Sequence, residues 1–503
     1  MTNQQKWKEL SRRLDEIEAY GRCVGKVGFD MECCAPEEGI EQAGEDMAIL
    51  GKRLYKLTHA PRYCALVEEL HADSEGLTNV QKKAVEHLYE DYAKTKNISA
   101  MLDYEMDLAS NKAYGAWLKA KKANDFSLFR DSLGELIRYQ RLVVEKRDER
   151  KATVYDTCLD DMEKGGSIEQ LGRLLRRAQG AHRAASRADR QRGQAHPRGL
   201  YVPPGADPRA GGHESKYLLE LEGLRQSALV LMTTEHPFTD HYGRCDVRVT
   251  THYHEDSFIS NVFTTLHEGG HALFMQNEPG ELYDNHGADR MTNAMHETIS
   301  RFYENLIGRS EAFIHYVAPK IRELSGGIFD DVSERELYEA VNVARPSLIR
   351  TEADELSYCL HILVRYELEK SFVNGAITVD EIPALWRAKY KEYLGVDVPD
   401  DAQGCLQDVH WSSVYFGYFP SYALGNAYGA QILAAMKKDF DVDAAVAAGE
   451  LYKLRDWLTG HVFSIASLTT PDEWIRAITG EGLNVNYYLD YLEDKYTKLY
   501  ELK

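Results

Sequence analysis

Long apolar runs and paired cysteines are both missing from this 503-residue sequence. No stretch reaches the roughly 20 apolar residues of a membrane-spanning helix, and the start, MTNQQKWKEL, lacks the apolar core of a secretory signal. The eight cysteines form no C-x-x-C pair, which disfavours a cysteine zinc cage and is typical of reduced thiols in a cytosolic protein. The sequence therefore predicts a cytoplasmic protein that has no membrane partner.

Basic residues are fewer than acidic residues, with 60 lysines and arginines against 80 aspartates and glutamates, so the formal net charge is −20. A surface of this sign repels phosphate backbones and anionic lipid, so nucleic acid is not an expected partner. Hydrophobic residues make up 44 % of the chain and charged residues 28 %. This balance is typical of a soluble globular protein with a large core.

Strand signals are few, and the clearest is CDVRVTTHY at 245–253, where β-branched residues recur and apolar residues alternate with polar ones. Elsewhere the apolar residues recur at the three-and-four spacing of amphipathic helices, as in 79–119 and 126–150. Another helix is predicted from about Pro346 to Asn374, where an Asn-Gly pair ends the pattern. The predicted fold class is mainly α with a very small β-sheet.

The stretch TTLHEGGHALF contains the pattern with the clearest chemistry, two histidines four residues apart with a glutamate after the first. On a helix, His267 and His271 lie on one face, opposite the apolar side chains, and Glu268 is one step around. Two imidazoles so placed bind one Zn²⁺, and the glutamate accepts a proton from a water whose pKa the metal lowers. Gly269 and Gly270 fall on the apolar side, which suggests that another backbone packs closely behind the site. The alternative is a chance pattern in a polar helix, and the helical phase favours the metal site.

The third metal ligand is not fixed by this pattern. Phe274 and Asn277 stand where a metzincin has a glycine and a third histidine. In the next candidate helix, 291–308, Glu297 lies opposite an apolar stripe. It is either a solvated surface carboxylate or the third ligand of a His/His/Glu site, and periodicity alone does not choose. Such a site suits one divalent ion per chain, with Zn²⁺ expected first and Co²⁺ or Mn²⁺ as alternatives.

Several separated motifs resemble those of the carboxypeptidase Taq family of metallocarboxypeptidases. The matching segments are HPF (236–238), DVRVT (246–250), HEGGH (267–271), HETI (296–299), IRTEADE (349–355) and GCLQDVHW (404–411). The resemblance implies a metal-dependent exopeptidase that removes single residues from peptide C-termini with broad preference. It also implies a large helical fold with a deep substrate groove, usually a homodimer, and Glu297 as the third metal ligand.

The resemblance also divides the chain, because it fades near Arg177 and resumes at 215. It implies that 1–178 is an N-terminal helical part forming one wall of the groove and that 215–503 is the catalytic helical part, both within one structural unit. Residues 179–214 have six arginines, no lysine and no isoleucine, a composition that a GC-rich gene read in a shifted frame would give. We hypothesise that two compensating frameshifts produced this stretch and expect irregular structure there.

The segment HWSSVYFGYFPSY (410–422) contains groups that can stabilise an oxyanion. The spacing of His410, Tyr415 and Tyr422 is similar to that in the related thimet oligopeptidases, whose histidine and tyrosines have this role. The chain has 31 tyrosines, most of which must be core or surface residues. We interpret His410, Tyr415 and Tyr422 as catalytic candidates.

The closest alternative function is an endo-acting metallo-oligopeptidase with the same metal chemistry. An exopeptidase needs a cation that captures the C-terminal carboxylate of its peptide substrate, and Arg350 is the first candidate and Arg248 the second. The other interpretation of Arg350 is a surface ion pair with Asp354, four residues further along a helix. A non-catalytic scaffold with a structural metal is disfavoured by Glu268, since structural zinc sites are closed by four protein ligands.

Overall fold

The protein is described by a computed structural model. It covers residues 1–166, 169, 172–177, 179–180, 208–234, 236–253, 258–327 and 329–501. Most of these residues are helical, and the strands that they contain form one three-stranded sheet, which confirms the predicted fold class. Among them, no helix combines the length and the apolar content that crossing a membrane requires.

The amino-terminal part is a series of helices, several of which begin at a side-chain cap. They are α1 (Asn3–Cys33), α2 (Ile40–Thr58), α3 (Pro61–Ala72), α4 (Asn79–Thr95), α5 (Ala100–Ala123), α6 (Ser127–Lys146) and α7 (Val154–Met162). Thr2 and Thr78 each close a capping box, which satisfies backbone donors at the starts of α1 and α4. Helices α1, α3 and α4 bury a separate small core that includes Leu10, Leu66 and Leu88.

Part of the stretch with unusual composition lies within the described residues. Residues 181–207 lie outside them, so the expectation of irregular structure there stays untested. The next helix, α8 (Pro208–Leu221), begins inside the stretch, and Glu214 near its middle is only 1 % exposed. Residues 208–214 are therefore helical.

The catalytic part contains the sheet and the remaining helices. The strands are β1 (Leu229–Thr233), β2 (Thr239–His241) and β3 (Val247–Thr251). The helices are α9 (Phe258–Asn277), α10 (Gly280–Asp284), α11 (Asn293–Arg301), α12 (Glu311–Leu324), α13 (Glu334–Val341), α14 (Glu355–Val373), α15 (Ile382–Tyr393), α16 (Phe419–Asp439), α17 (Val442–Ala447), α18 (Leu451–Leu458), α19 (Pro471–Thr479) and α20 (Asn486–Leu499). Their apolar faces form one large core that extends back to α5 and α6.

The small sheet lies against α9. Strand β3 is central, parallel to β1 and antiparallel to β2, and it falls within the predicted segment 245–253. Val247 and Val249 of β3 are fully buried against the core beside α9. Pairing with β3 therefore fixes the position of β2 relative to α9, the helix that contains His267 and His271.

Close backbone contacts set the positions of α9, α11 and α16. A Cβ atom on Gly270 of α9 would lie 2.7 Å from the carbonyl oxygen of Ile299 in α11. A Cβ atom on Gly425 of α16 would lie 2.9 Å from the Cβ atom of Glu297. Real side chains do not tolerate such distances, so glycine is needed at both positions. The predicted close backbone behind Gly270 is thus α11, and it presents Glu297 to α9.

Candidate active site

Two helices bring the histidines and the predicted third ligand together. His267 and His271 lie one turn apart on α9, and Glu297 faces them from α11. One ligand atom from each of the three lies within 4.8 Å of the other two. Glu297 is only 4 % exposed, so the alternative of a solvated surface carboxylate is wrong.

The surroundings of the two imidazoles fit a metal site. Nδ1 of His267 lies 2.8 Å from a carboxylate oxygen of Glu304, and Nδ1 of His271 lies 2.6 Å from Nδ1 of His296. Ligand histidines typically hydrogen-bond through one ring nitrogen and bind the ion through the other. With both Nδ1 atoms engaged, the Nε2 atoms of His267 and His271 remain for a divalent ion.

Glu304 was not predicted to take part in the site. It lies in a π-helical turn (Phe302–Ile307) that directly follows α11, and Arg301 donates a 3.1 Å hydrogen bond to it. Burial raises the pKa of Glu304, but the charges of Arg301 and His267 outweigh this and lower it to about 2. Glu304 is therefore ionised and accepts a hydrogen bond from Nδ1 of His267, which leaves Nε2 of that ring for the ion. The turn that aims it inward could not be read from helical periodicity.

Glu268 lies at the groove beside the cluster. It is 6 % exposed, and burial raises its pKa to about 6, against the charge of His267 and the hydroxyl of Thr239. Thr239 donates a 2.6 Å hydrogen bond to its Oε2 atom. A carboxylate whose pKa is raised toward neutrality is well suited to accept and return a proton.

The three residues predicted to stabilise an oxyanion occupy different positions. Tyr422 lines the groove, whereas His410 is buried behind it, with Nε2 3.2 Å from the Tyr422 hydroxyl. Burial and the charge of Arg350 lower the pKa of His410 to about 3, so the ring is neutral. Tyr415 is 51 % exposed and does not line the groove.

A tight turn explains why Tyr415 points away. Val414 has a φ of 61° and Gly417 a φ of 87°, both in the left-handed region. The chain therefore reverses between His410 and α16, and Tyr418 lines the groove instead of Tyr415. Sequence reasoning missed Tyr418, since the spacing of tyrosines does not reveal a positive φ at valine.

Arg350 lies in the wall of the groove, but it does not lie on the predicted helix. It occupies a short 3-10 turn (Arg350–Glu352), and α14 begins only at Glu355. Asp354 is the N-cap of α14 and accepts hydrogen bonds from the backbone of Leu356 and Ser357. The predicted helix start near Pro346 is therefore wrong, and Arg350 has a different anion partner.

That partner is Asp408, from the GCLQDVHW motif. Nε of Arg350 donates to Asp408 at 3.0 Å, Nη1 donates to the Tyr358 hydroxyl at 3.0 Å, and the residue is 4 % exposed. Arg365 donates to the other oxygen of Asp408 at 2.7 Å. The Tyr358 hydroxyl also accepts a hydrogen bond from Arg301 at 2.6 Å, which links Arg350 to the surroundings of the metal cluster.

Arg248 lies elsewhere. Its Nε and Nη2 atoms both donate to Asp246, and its guanidinium lies over the rings of Phe29 and Tyr242. It does not line the groove that contains the metal cluster. The geometry therefore favours Arg350 over Arg248 as a cation that meets substrate.

One groove of about 1030 Å³ joins these groups. Its wall includes the histidine cluster with Glu297, the carboxylate of Glu268, the phenols of Tyr418 and Tyr422 and the guanidinium of Arg350. The groove thus combines metal-ligating side chains, a carboxylate that can accept a proton, hydrogen-bond donors and a cation. Together these groups suit the hydrolysis of a peptide that ends in a free carboxylate.

Comparisons with known proteins agree with this chemistry. Carboxypeptidase 1 of Bacillus subtilis is 36 % identical to this chain, over 98 % of this chain and 99 % of its own length. Thermostable carboxypeptidase 1 of Thermus thermophilus is 32 % identical, over 96 % of each protein. The crystal structure of an M32 carboxypeptidase from Deinococcus radiodurans has a TM-score of 0.94 and 29 % identity, covering 99 % of this chain and 100 % of that one.

The profile of one peptidase family spans most of the sequence. The carboxypeptidase Taq (M32) metallopeptidase profile matches residues 9–496. This range contains every residue of the groove described above. The chain therefore belongs to the carboxypeptidase Taq (M32) family of metallopeptidases and is a metal-dependent carboxypeptidase.

Proposed function

We propose that this protein releases single C-terminal residues from peptides of varied sequence, with Glu268 as the general base. The observation that carries the proposal is the buried guanidinium of Arg350 in the wall of the groove that contains the His267–His271–Glu297 cluster. A buried cation beside a hydrolytic site suits a substrate that ends in a free carboxylate close to the scissile bond. The alternative, an endo-acting oligopeptidase, has no need of such a cation.

We assign the metal to His267, His271 and Glu297. Two imidazoles and one carboxylate leave a coordination position open, as catalytic zinc sites do, and we propose Zn²⁺ as the ion, one per chain. When bound, it supplies Lewis-acid polarisation of the scissile carbonyl and lowers the pKa of the attacking water. Co²⁺ and Mn²⁺ suit the same donors. The metal content of protein purified from cells that are grown without added metal tests which ion it binds.

In the proposed mechanism Glu268 moves the proton. Its Oε2 atom is held by Thr239, which leaves Oε1 to accept a proton from water. The same carboxyl then returns the proton to the leaving amine. The Tyr422 hydroxyl, backed by the neutral ring of His410, donates to the oxyanion of the tetrahedral state.

Arg350 positions the end of the peptide. Because Asp408 and Tyr358 hold two of its donor atoms, its orientation is fixed before substrate binds. Because Nε and Nη1 are engaged in these bonds, Nη2 is the group of the guanidinium that we assign to the substrate carboxylate. A guanidinium held in this way loses little side-chain entropy on binding.

The substitution Glu268→Gln tests the assignment of the base. We expect the variant to retain zinc, because the three ligands are unchanged, and to hydrolyse peptides about 10²- to 10⁴-fold more slowly. Zinc content by mass spectrometry and release of C-terminal residues are measured on the same preparation. The control is Glu281→Gln, an exposed position on α10, which we expect to behave as the wild type. Full activity in zinc-loaded Glu268→Gln would remove Glu268 from the mechanism.

We further propose that the protein is a cytoplasmic homodimer, as the family resemblance implied. Sedimentation velocity over a range of protein concentrations tests the dimer, and a single monomeric species throughout would contradict it. Fractionation of the source cells tests the compartment, and recovery of the protein outside the cytoplasm would contradict it.

A further inference from the structure

The hydroxyl of Thr239 lies between two oxygens of the same residue. Oγ1 is 2.6 Å from Oε2 of Glu268 and 3.0 Å from the backbone carbonyl oxygen of Glu268. A hydroxyl has only one hydrogen to donate. The bond to the carboxylate is the shorter one and is the stronger when the carboxylate is ionised. The hydroxyl therefore donates to Oε2, and the carbonyl oxygen lies within reach as a second acceptor.

This contact makes the two oxygens of the Glu268 carboxylate unequal. Oε2 accepts the hydrogen bond of the Thr239 hydroxyl, and Oε1 does not. A glutamate side chain without such a contact can rotate about three bonds, and fixing it costs up to about 2 kcal/mol. The threonine thus selects one orientation in which Oε1 is the oxygen available to a proton.

The position of Thr239 is itself fixed by the sheet. It is the first residue of β2 and pairs with Val249 of β3. The residue before it, Phe238, donates its backbone N–H to the Thr250 hydroxyl at 2.7 Å and accepts from the Thr250 backbone at 2.9 Å. Because β3 lies against α9, the hydroxyl is held at a constant distance from the carboxylate on that helix.

We propose that Thr239 is a positioning residue for the general base, which ties the Glu268 carboxylate to β2 and leaves Oε1 as the proton acceptor. The proposal rests on the proposed function, since it requires Glu268 to be the base. It assigns the small sheet a role in catalysis, namely to orient one carboxylate. The threonine touches the carboxylate and not the metal ligands, so its removal acts on the chemical step and not on zinc binding.

Thr239→Val is the direct test, since valine keeps the branched shape that a strand favours and removes only the hydroxyl. We expect kcat to fall about 10- to 100-fold, the value for losing a hydrogen bond to a charged group, while KM and the dissociation constant for zinc stay unchanged. Thr239→Ser restores the hydroxyl and should recover most of kcat. Thr459→Val, which removes a remote hydroxyl bonded to the Arg455 carbonyl, is the matched control and should leave kcat unchanged.

Two further variants separate failure of this proposal from failure of the proposed function. Adding Thr239→Val to Glu268→Gln should not slow hydrolysis further, because the threonine acts only through the glutamate. If Glu268→Gln is inactive and Thr239→Val keeps the wild-type kcat, the positioning role is overturned and the base assignment stands. If Thr239→Val loses zinc affinity or thermal stability together with kcat, the residue is structural and the proposal is also overturned. Full activity of Glu268→Gln would overturn both.

Discussion

Arg350 is the residue to which we assign the choice between trimming of peptide ends and cleavage within a chain. It is buried, fixed by Asp408 and Tyr358, and lies in the wall of the groove beside the metal cluster. In the proposed function, a carboxylate bound there brings the last peptide bond of the substrate to the cluster. Arg248 provides no such contact, because it is paired with Asp246 outside the groove.

We predict that Arg350→Ala lowers kcat/KM on free-acid peptides by roughly 30- to 5,000-fold. The range follows from a cost of about 2–5 kcal/mol for removing one partner of a desolvated charge pair, at about 1.4 kcal/mol per tenfold. Steady-state kinetics on matched free-acid and amidated peptides measures the effect, and the amidated peptides should be poor substrates for both proteins.

Two substitutions are controls for that prediction. Arg350→Lys keeps the charge but loses the planar fork, so it should recover only part of the rate. Arg248→Ala should change kcat/KM little, because its guanidinium lies outside the groove. If Arg350→Ala trims free-acid peptides normally while Arg248→Ala does not, the two assignments must be exchanged.

Among the helices, α11 has an unusual start. Its N-cap, Thr292, makes no side-chain capping bond. Instead the buried carboxylate of Glu163, just after α7, accepts hydrogen bonds from the backbone of Ala294 and, at 2.8 Å, from the Ser421 hydroxyl of α16. One side chain from the amino-terminal part therefore joins the helix of Glu297 to the helix of Tyr422.

We predict that Glu163→Ala destabilises the fold by about 1–3 kcal/mol at pH 6, because two buried donors lose their acceptor. Zinc binding should also weaken, since the start of α11 is no longer fixed. Urea unfolding of the zinc-free protein and competition with a chromophoric chelator measure the two effects. Glu163→Gln retains an acceptor and should recover most of both losses, and Glu145→Ala on the exposed face of α6 is the neutral control. Unchanged zinc affinity in Glu163→Ala would show that α11 keeps its place without this cap.

The same elements show how far the sequence alone predicts the site. Helical phase placed His267, Glu268 and His271 on one polar face, because that geometry is local. It could not place Glu297, whose approach depends on contacts between distant backbones at Gly270 and Gly425. Family resemblance supplied the expectation for Glu297, and the fold brings this residue into the cluster.

Two sequence-based predictions differ from the structure because the backbone is locally irregular. The helix predicted from about Pro346 begins only at Glu355, because Asp354 is its N-cap. Tyr415 is a candidate by its spacing from His410 and Tyr422, but the positive φ at Val414, which has no sequence signal, directs it away from the groove. Both features are local, a side-chain cap and a backbone dihedral angle, and the periodicity of apolar residues reports neither of them.

At the scale of the whole molecule, the core contains several buried glutamates whose pKa is raised to about 7. Burial is the main cause for Glu163, Glu278 and Glu369. Between pH 4.5 and 7 the folded chain holds protons on these groups that the unfolded chain has lost, so they reduce stability as pH rises through that window. Burial lowers the pKa of His296 to about 4 and that of His410 to about 3. Below pH 6.5 the unfolded chain therefore binds protons that these two folded rings do not, so they increase stability as pH rises.

We predict that Glu369→Gln becomes more stable relative to the wild type as pH rises from 5 to 7.5. Glu369 accepts hydrogen bonds from Tyr155, Trp411 and the backbone of Gly417 and does not line the groove, so the substitution should not alter zinc binding. A pKa raised from 4.5 to about 7 corresponds to a relative gain of up to about 3 kcal/mol. Urea unfolding of both zinc-free proteins across this range measures it. If the difference in unfolding free energy between the two proteins stays the same from pH 5 to 7.5, Glu369 is already ionised at pH 5.

The most direct test of the whole account is the product pattern from a mixed peptide pool, followed over time by mass spectrometry. Each peptide is supplied as a free acid and as a C-terminal amide, and the zinc-loaded wild type is compared with zinc-loaded Glu268→Gln. We predict a ladder of products shortened one residue at a time from the C-terminus of the free acids, little from the amides and almost none with the variant. Internal cleavage products that form equally from acids and amides would contradict the account and make this protein an endo-acting oligopeptidase.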